Sequence, residues 1–148
     1  MKILLDTNVL MDVVANRRPW VDDALVLFEL ANQKKLSLFA TDCSFVNIAY
    51  ITRKLFAKEE LYSLLEELRE FVHVVEMGET VIDDAIRSQW NDFEDCTQYF
   101  AAKREHVDFI ITRNEKDFAQ SDIPGLAWEE GSRVAWGEVT GGEGPGGS

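Results

Sequence analysis

Glycine is almost missing from most of this chain. Gly78 is the one glycine in the first 124 residues, and the other eight of the nine lie from Gly125 onward. The opening run "MKILLDTNVLMD" therefore reaches its first polar residues without a glycine-rich turn, which argues against a dinucleotide-binding fold with a backbone cradle for pyrophosphate. Cysteine is also scarce. Cys43 and Cys96 stand far apart without metal-like partners, as suits a reducing cytoplasm. The two histidines, His73 and His106, have no ligand-spaced partners. Basic residues are outnumbered, 15 Lys and Arg against 27 Asp and Glu, for a net charge of −12. That balance argues against nonspecific attraction to nucleic acid or to an anionic membrane. It does not exclude a nucleic-acid enzyme, because carboxylates clustered around divalent cations also make a chain acidic. No run resembles a secretory signal or is long enough to cross a bilayer, since Asp6 interrupts the first apolar stretch.

What remains is the composition of one globular domain with an ordinary apolar fraction of 46%. Apolar runs of strand length, "KILLD", "LSLFA", "VHVVEM" and "VDFIIT", alternate with longer helix-like segments, and "DIPGL" offers a short fifth strand. The segment "VDDALVLFELANQKK" has apolar residues at helical spacing and a basic end. In "KEELYSLLEELREF", Leu61, Leu64, Leu65 and Leu68 form one stripe for a core or a dimer interface. Strands alternating with helices predict a three-layer α/β/α sandwich around a mostly parallel five-stranded sheet. Residues 1–124 are expected to form this domain. Residues 125–148 end in "GGEGPGGS" and read as a Gly-rich, flexible or linker-like tail, with "AWEEGSRVAWGEV" before it assigned no single conformation.

In an open parallel sheet, ligands bind beyond the carboxyl ends of the strands. The first run ends on Asp6, Thr7 and Asn8; the second on Thr41, Asp42, Ser44 and Asn47; the fourth on Thr112, Asn114 and Asp117. Before the fourth run, "WNDFEDCTQYFAAKREH" places Asp92, Glu94 and Asp95 at a helix start. Each of these has a plain structural reading, since Asp and Asn cap helices and acids favour first turns. Together, three segments direct carboxylates to one edge of one sheet. Like charges held close raise each other's pKa unless a cation intervenes. Oxygen ligands without His or Cys suit Mg²⁺ or Mn²⁺ rather than zinc. Such a cluster can activate water and offset charge on a phosphoryl oxygen, which is the chemistry of phosphodiester hydrolysis.

The stretches "ILLDTNVLMDVV", "FEDCTQYFAA" and "FIITRNEKDF" resemble, in order, the motifs of PIN-domain ribonucleases and in particular the VapC-like group, over roughly residues 1–124. The resemblance implies a five-stranded parallel sheet, an endoribonuclease dependent on Mg²⁺ or Mn²⁺, frequent homodimers, and an antitoxin partner. It makes Asp6, Asp95, Asp117 and Glu94 the catalytic candidates, and Asp6, Asp95, Asn114 and Asp92 the metal candidates. Thr7, Asn8, Ser44, Asn47, Thr112 and Arg113 become substrate-binding or supporting residues. One departure stands out: Asn47 occupies a helix position where the family commonly carries glutamate. Glu94 or Asp92 is placed to supply the missing charge. Arg17 and Arg18 in "ANRRPW" are candidate phosphate contacts, and Arg113 a contact for RNA or an antitoxin.

Two other readings follow. A PIN-like scaffold that binds RNA or protein without cleaving is suggested by Asn47. A phosphatase of the haloacid-dehalogenase type also begins with a strand ending in Asp, but needs a second Asp where this chain has Asn8.

Overall fold

The computed structural model describes residues 1–16 and 20–141, with Trp20 described in its backbone alone. The Arg17–Arg18 pair and the "GEGPGGS" end lie outside the described residues. Five strands, β1 (Lys2–Leu5), β2 (Ser37–Thr41), β3 (Val72–Val75), β4 (Phe109–Ile111) and β5 (Gly125–Leu126), form one sheet in the order β3-β2-β1-β4-β5. Every pairing is parallel, as the alternation of strands and helices requires.

The period-two alternation of side chains sorts the strand residues onto two buried faces. Ile3, Leu5, Leu38, Ala40, Phe109 and Ile111 join one core cluster, while Leu4, Phe39 and Ile110 join the other. Burial on both faces is why "KILL" and "FII" read as continuous apolar runs rather than alternating ones. Each fully buried Leu or Ile contributes about 1.5–3 kcal/mol, so the central strand alone is a large stabilising element.

The first core cluster is covered by α1 (Thr7–Val14), α2 (Trp20–Asn32), α3 (Asp42–Thr52), α4 (Lys58–Phe71) and α7 (Trp128–Thr140). The second is covered by α6 (Phe93–Glu105) and a 3₁₀ turn, Glu115–Phe118, with α5 (Gly78–Ser88) packed on α6. Of the leucine stripe, Leu61 and Leu68 are buried and Leu64 packs against the first cluster, so the stripe serves the core. No helix of the described residues is long and apolar enough to cross a membrane.

The folded body continues past residue 124, where the sequence suggests a loose tail. β5 pairs with β4, and α7 packs on α2 and β4. Its inward stripe is Trp128, Gly131, Ser132 and Ala135, a helical spacing built mostly from small residues. Small residues do not register as an apolar face in a sequence, although they let a helix approach a sheet closely. Gly131 shows why: a Cβ there would overlap Ile111 Cδ1 and come within 3.3 Å of Phe109 Cε2. Gly137, on the same helix, has nothing within 4 Å of the corresponding position. Gly131→Val is therefore expected to destabilise the fold by about 1–3 kcal/mol through overpacking. Gly137→Ala should stabilise it by about 0.5–1 kcal/mol through helix propensity. Urea unfolding of the two variants should give opposite signs.

Candidate active site

The chain order along the sheet reverses around β1, with β2 and β3 on one side and β4 and β5 on the other. A crevice opens at the carboxyl end of such a switch point. Three buried polar residues stand at those strand ends: Asp6 after β1, Thr41 at the end of β2, and Thr112 after β4. Asp6 is 3% exposed. Its backbone N–H donates to the Ile111 carbonyl at 3.0 Å, which ties it to β4. Its Oδ1 accepts from the Thr7 N–H at 2.8 Å and its Oδ2 from Thr112 Oγ1 at 3.2 Å. Asp6 is thus the N-cap of α1, but it bonds the adjacent N–H rather than the more usual second or third.

Asp92 caps α6 by accepting from the Asp95 N–H at 2.9 Å, so that helix starts with Glu94 and Asp95 in its first turn. Asp95 is half-buried. Asp92, Glu94, Asp95 and Asp117 line one open groove of about 420 Å³ together with Thr7, Asn8, Asn47, Tyr50 and Ile51. The acids sense one another there. Burial, then Glu94 and Asp117, push Asp6 up to about 6 against the pull of its bonds from Thr7 and Thr112. Burial, then Asp6, Asp92, Asp117 and Glu94, push Asp95 up to about 7.

Beneath the groove lies a buried hydroxyl network. Thr7 Oγ1 and Ser44 Oγ are 2.7 Å apart, Thr41 Oγ1 donates to Ser44 Oγ at 3.0 Å, and the Ser44 N–H donates to Thr41 Oγ1 at 3.1 Å. Gln98 Nε2 reaches Thr41 Oγ1 at 3.1 Å and Ser44 Oγ at 3.2 Å. These bonds fasten the starts of α1 and α3 to α6. Ser44 and Thr7 therefore serve as floor supports. Gln98 escapes the motif reading, yet it stands one helical turn after Asp95, a spacing that puts the two on one face.

Among the sequence candidates, Asn114 does not line the groove. It caps the 3₁₀ turn by accepting from the Lys116 N–H at 3.2 Å, and its Nδ2 donates to Asp117 Oδ1 at 3.1 Å, so it orients Asp117. Arg113 also faces elsewhere. Its Nε donates to Asp12 Oδ2 at 3.1 Å, its Nη2 pairs with Asp12 Oδ1, and Trp128 Nε1 donates to Asp12 Oδ2 at 3.2 Å. Asp12 is fully buried. It joins α1, the β4 exit and α7, and its signal in the sequence is an acid inside the apolar run "VLMDVV". His73 and His106 are exposed and line none of this groove.

The polar side chains of the groove lining offer oxygen ligands without His or Cys, and that donor set fits Mg²⁺ or Mn²⁺. Among the described residues no three acids already stand in ligating geometry. Mutual repulsion of charged carboxylates is the physical reason to expect them apart until a cation screens them.

The raised carboxyls have a consequence for stability. Folded Asp6 and Asp95 hold protons to higher pH than in the unfolded chain, where they return toward 3.8. The folded state binds more protons between about pH 4 and pH 7, so their contribution falls as pH rises through that window. Metal-free protein is expected to melt at higher temperature at pH 5 than at pH 8, and Asp6→Asn should flatten the difference. An unchanged slope in Asp6→Asn would show that this carboxyl is not shifted.

Residues 2–116 match the family model of the PIN domain. The fold is similar to a chain in the crystal structure of VapBC2 from Rickettsia felis bound to a DNA fragment from their promoter, with a TM-score of 0.65 and 18% sequence identity. The similarity covers 85% of this chain and 97% of that one. No curated protein sequence matches. With a family match across most of its length, the chain belongs to the PIN-domain family, a family of nucleases.

Proposed function

We propose that this protein is a divalent-metal-dependent endoribonuclease, the toxin of a toxin–antitoxin pair, acting in the cytoplasm as a homodimer restrained by an antitoxin protein. The observation that carries the reading is the shared groove of Asp95, Asp117, Glu94 and Asp92 beside buried Asp6, with Asp6 and Asp95 held well above the usual carboxylate range. The antitoxin partner is suggested by likeness to the VapBC2 assembly. Residues 1–140 would form the working domain, with α7 part of it.

In this reading Asp6, Asp95 and Asp117 would hold Mg²⁺ or Mn²⁺, with Glu94 and Asp92 adding charge. When bound, the cation supplies Lewis acidity that activates water and offsets charge growing on the phosphoryl oxygens. Asp6 is oriented by Thr7 and Thr112, which leaves its remaining lone pairs for ligation. Asp95, in the first turn of α6, lines the groove and would present its carboxylate to the cation. Asn47 and Asn8 offer amide groups to an RNA phosphate or ribose from the groove wall. Because Asn47 brings no charge, a second reading is a scaffold that binds RNA without cutting it.

Purified protein with a labelled structured RNA and Mn²⁺ separates the two. Cleavage is expected, abolished by EDTA, and reduced by about 10²-fold or more in Asp6→Asn and in Asp95→Asn. Asn47→Glu should raise activity at limiting Mn²⁺ by adding a charged ligand. Cleavage that survives EDTA and both Asp→Asn changes places the site elsewhere. RNA binding without cleavage in the unmodified protein favours the scaffold.

A further inference from the structure

The acid groove has one wall that metal chemistry leaves unexplained. Tyr50 and Ile51 of α3 line it beside Asn47, and Tyr50 is 65% exposed. The ring is not loose. The Arg53 guanidinium stands 3.7 Å from its centroid, and Arg53 Nη1 donates to the Tyr50 carbonyl at 2.6 Å. A cation–π contact thus covers part of the ring and favours this position by about 0.5–1 kcal/mol, while much of the ring remains open to solvent.

The lining of the groove contains four carboxylates and, among the described residues, no lysine or arginine. A polyanion gains no attraction from such walls, and a chain of net charge −12 adds none at longer range. A bound cation can offset charge at the phosphate being attacked, but neighbouring nucleotides need a grip that does not depend on charge. Stacking of a base on an aromatic ring meets that need, because every base has a π face. Tyr50 is the one aromatic in the groove lining among the described residues, one helical turn beyond Asn47.

We propose that Tyr50, backed by Arg53, is a stacking platform for an unpaired RNA base next to the scissile phosphate. The proposal rests on the nuclease reading and assigns to one residue of the groove wall a grip on a base that does not depend on charge. Tyr50 acts on binding and register, with a preference for an unstacked base rather than for one base identity.

The test uses the full chain and a short RNA carrying 2-aminopurine, whose fluorescence falls on stacking, mixed rapidly in Mn²⁺ with cleavage scored in parallel. The unmodified protein, Tyr50→Phe and Tyr50→Trp should quench the probe. Tyr50→Ala should lose the quench and raise KM by about ten-fold, the scale of one base–aromatic stack. Tyr50→Ala that cleaves and quenches like the unmodified protein overturns this proposal alone. A change in sedimenting mass in Tyr50→Ala overturns it by assigning the ring to a subunit contact. Failure of the unmodified protein to bind or cleave RNA overturns the nuclease reading and this proposal together.

Discussion

Buried Asp6 opposes the ionisation of Asp95 at the carboxyl end of the central strand, and much of the surrounding structure is arranged to keep the two there despite the repulsion. One carboxylate is buried after β1 and held by the Thr7 N–H and the Thr112 hydroxyl. The other projects from the first turn of α6, which Asp92 caps. A charged pair without a counterion destabilises a fold, so the supports on each side must be stiff. The two cores supply that stiffness, because β1 is buried on both faces and cannot shift without disturbing both.

The hydroxyl network makes the same point on a smaller scale. Thr7, Thr41, Ser44 and Gln98 belong to three helices and a strand end, and they bond to one another out of solvent. The Gln98 amide donates into the network, while its Oε1 is buried without a hydrogen-bond partner among the described residues, a cost the other bonds must offset. The bonds that are made link α1, α3 and α6, the helices that carry the groove residues. Asp12 does the corresponding work on another side, drawing Arg113 and Trp128 onto α1. Asp12 is fully buried while the Arg113 side chain is 34% exposed, so the pair is anchored on its carboxylate side. The stretch after β4 is thereby tied to a helix that lies beyond the matched family segment.

The strands and their polar ends were legible because parallel, doubly covered strands are written as short apolar runs ending in ligand-facing residues. Asp6 and Asp117 are nominated for that reason and Asp95 as an acid at a helix start, and the structure brings Asp95 and Asp117 to one groove with Asp6 close enough to shift Asp95. Partners across the fold were not legible. Arg113 looked like a free cation beside a motif, yet Asp12, 101 residues away, holds it. Asn114 looked like a ligand, and its side chain is occupied with a 3₁₀ turn and Asp117. Gln98 lies inside "FEDCTQYFAA", where nothing in the sequence marks it as a support for Thr41 and Ser44. The helix α7 was hidden because its buried stripe is glycine, serine and alanine around a single Trp.

If repulsion among these acids is what the site is built to hold, a cation should relieve it and displace the protons that the carboxyls retain near neutral pH. Calorimetric titration of Mn²⁺ into metal-free protein at pH 6, repeated in buffers of different ionisation enthalpy, measures both at once. The account predicts binding accompanied by proton release at pH 6, little release at pH 8.5, and loss of binding in Asp6→Asn. Binding that releases no protons at pH 6, or that is untouched by Asp6→Asn, would contradict it.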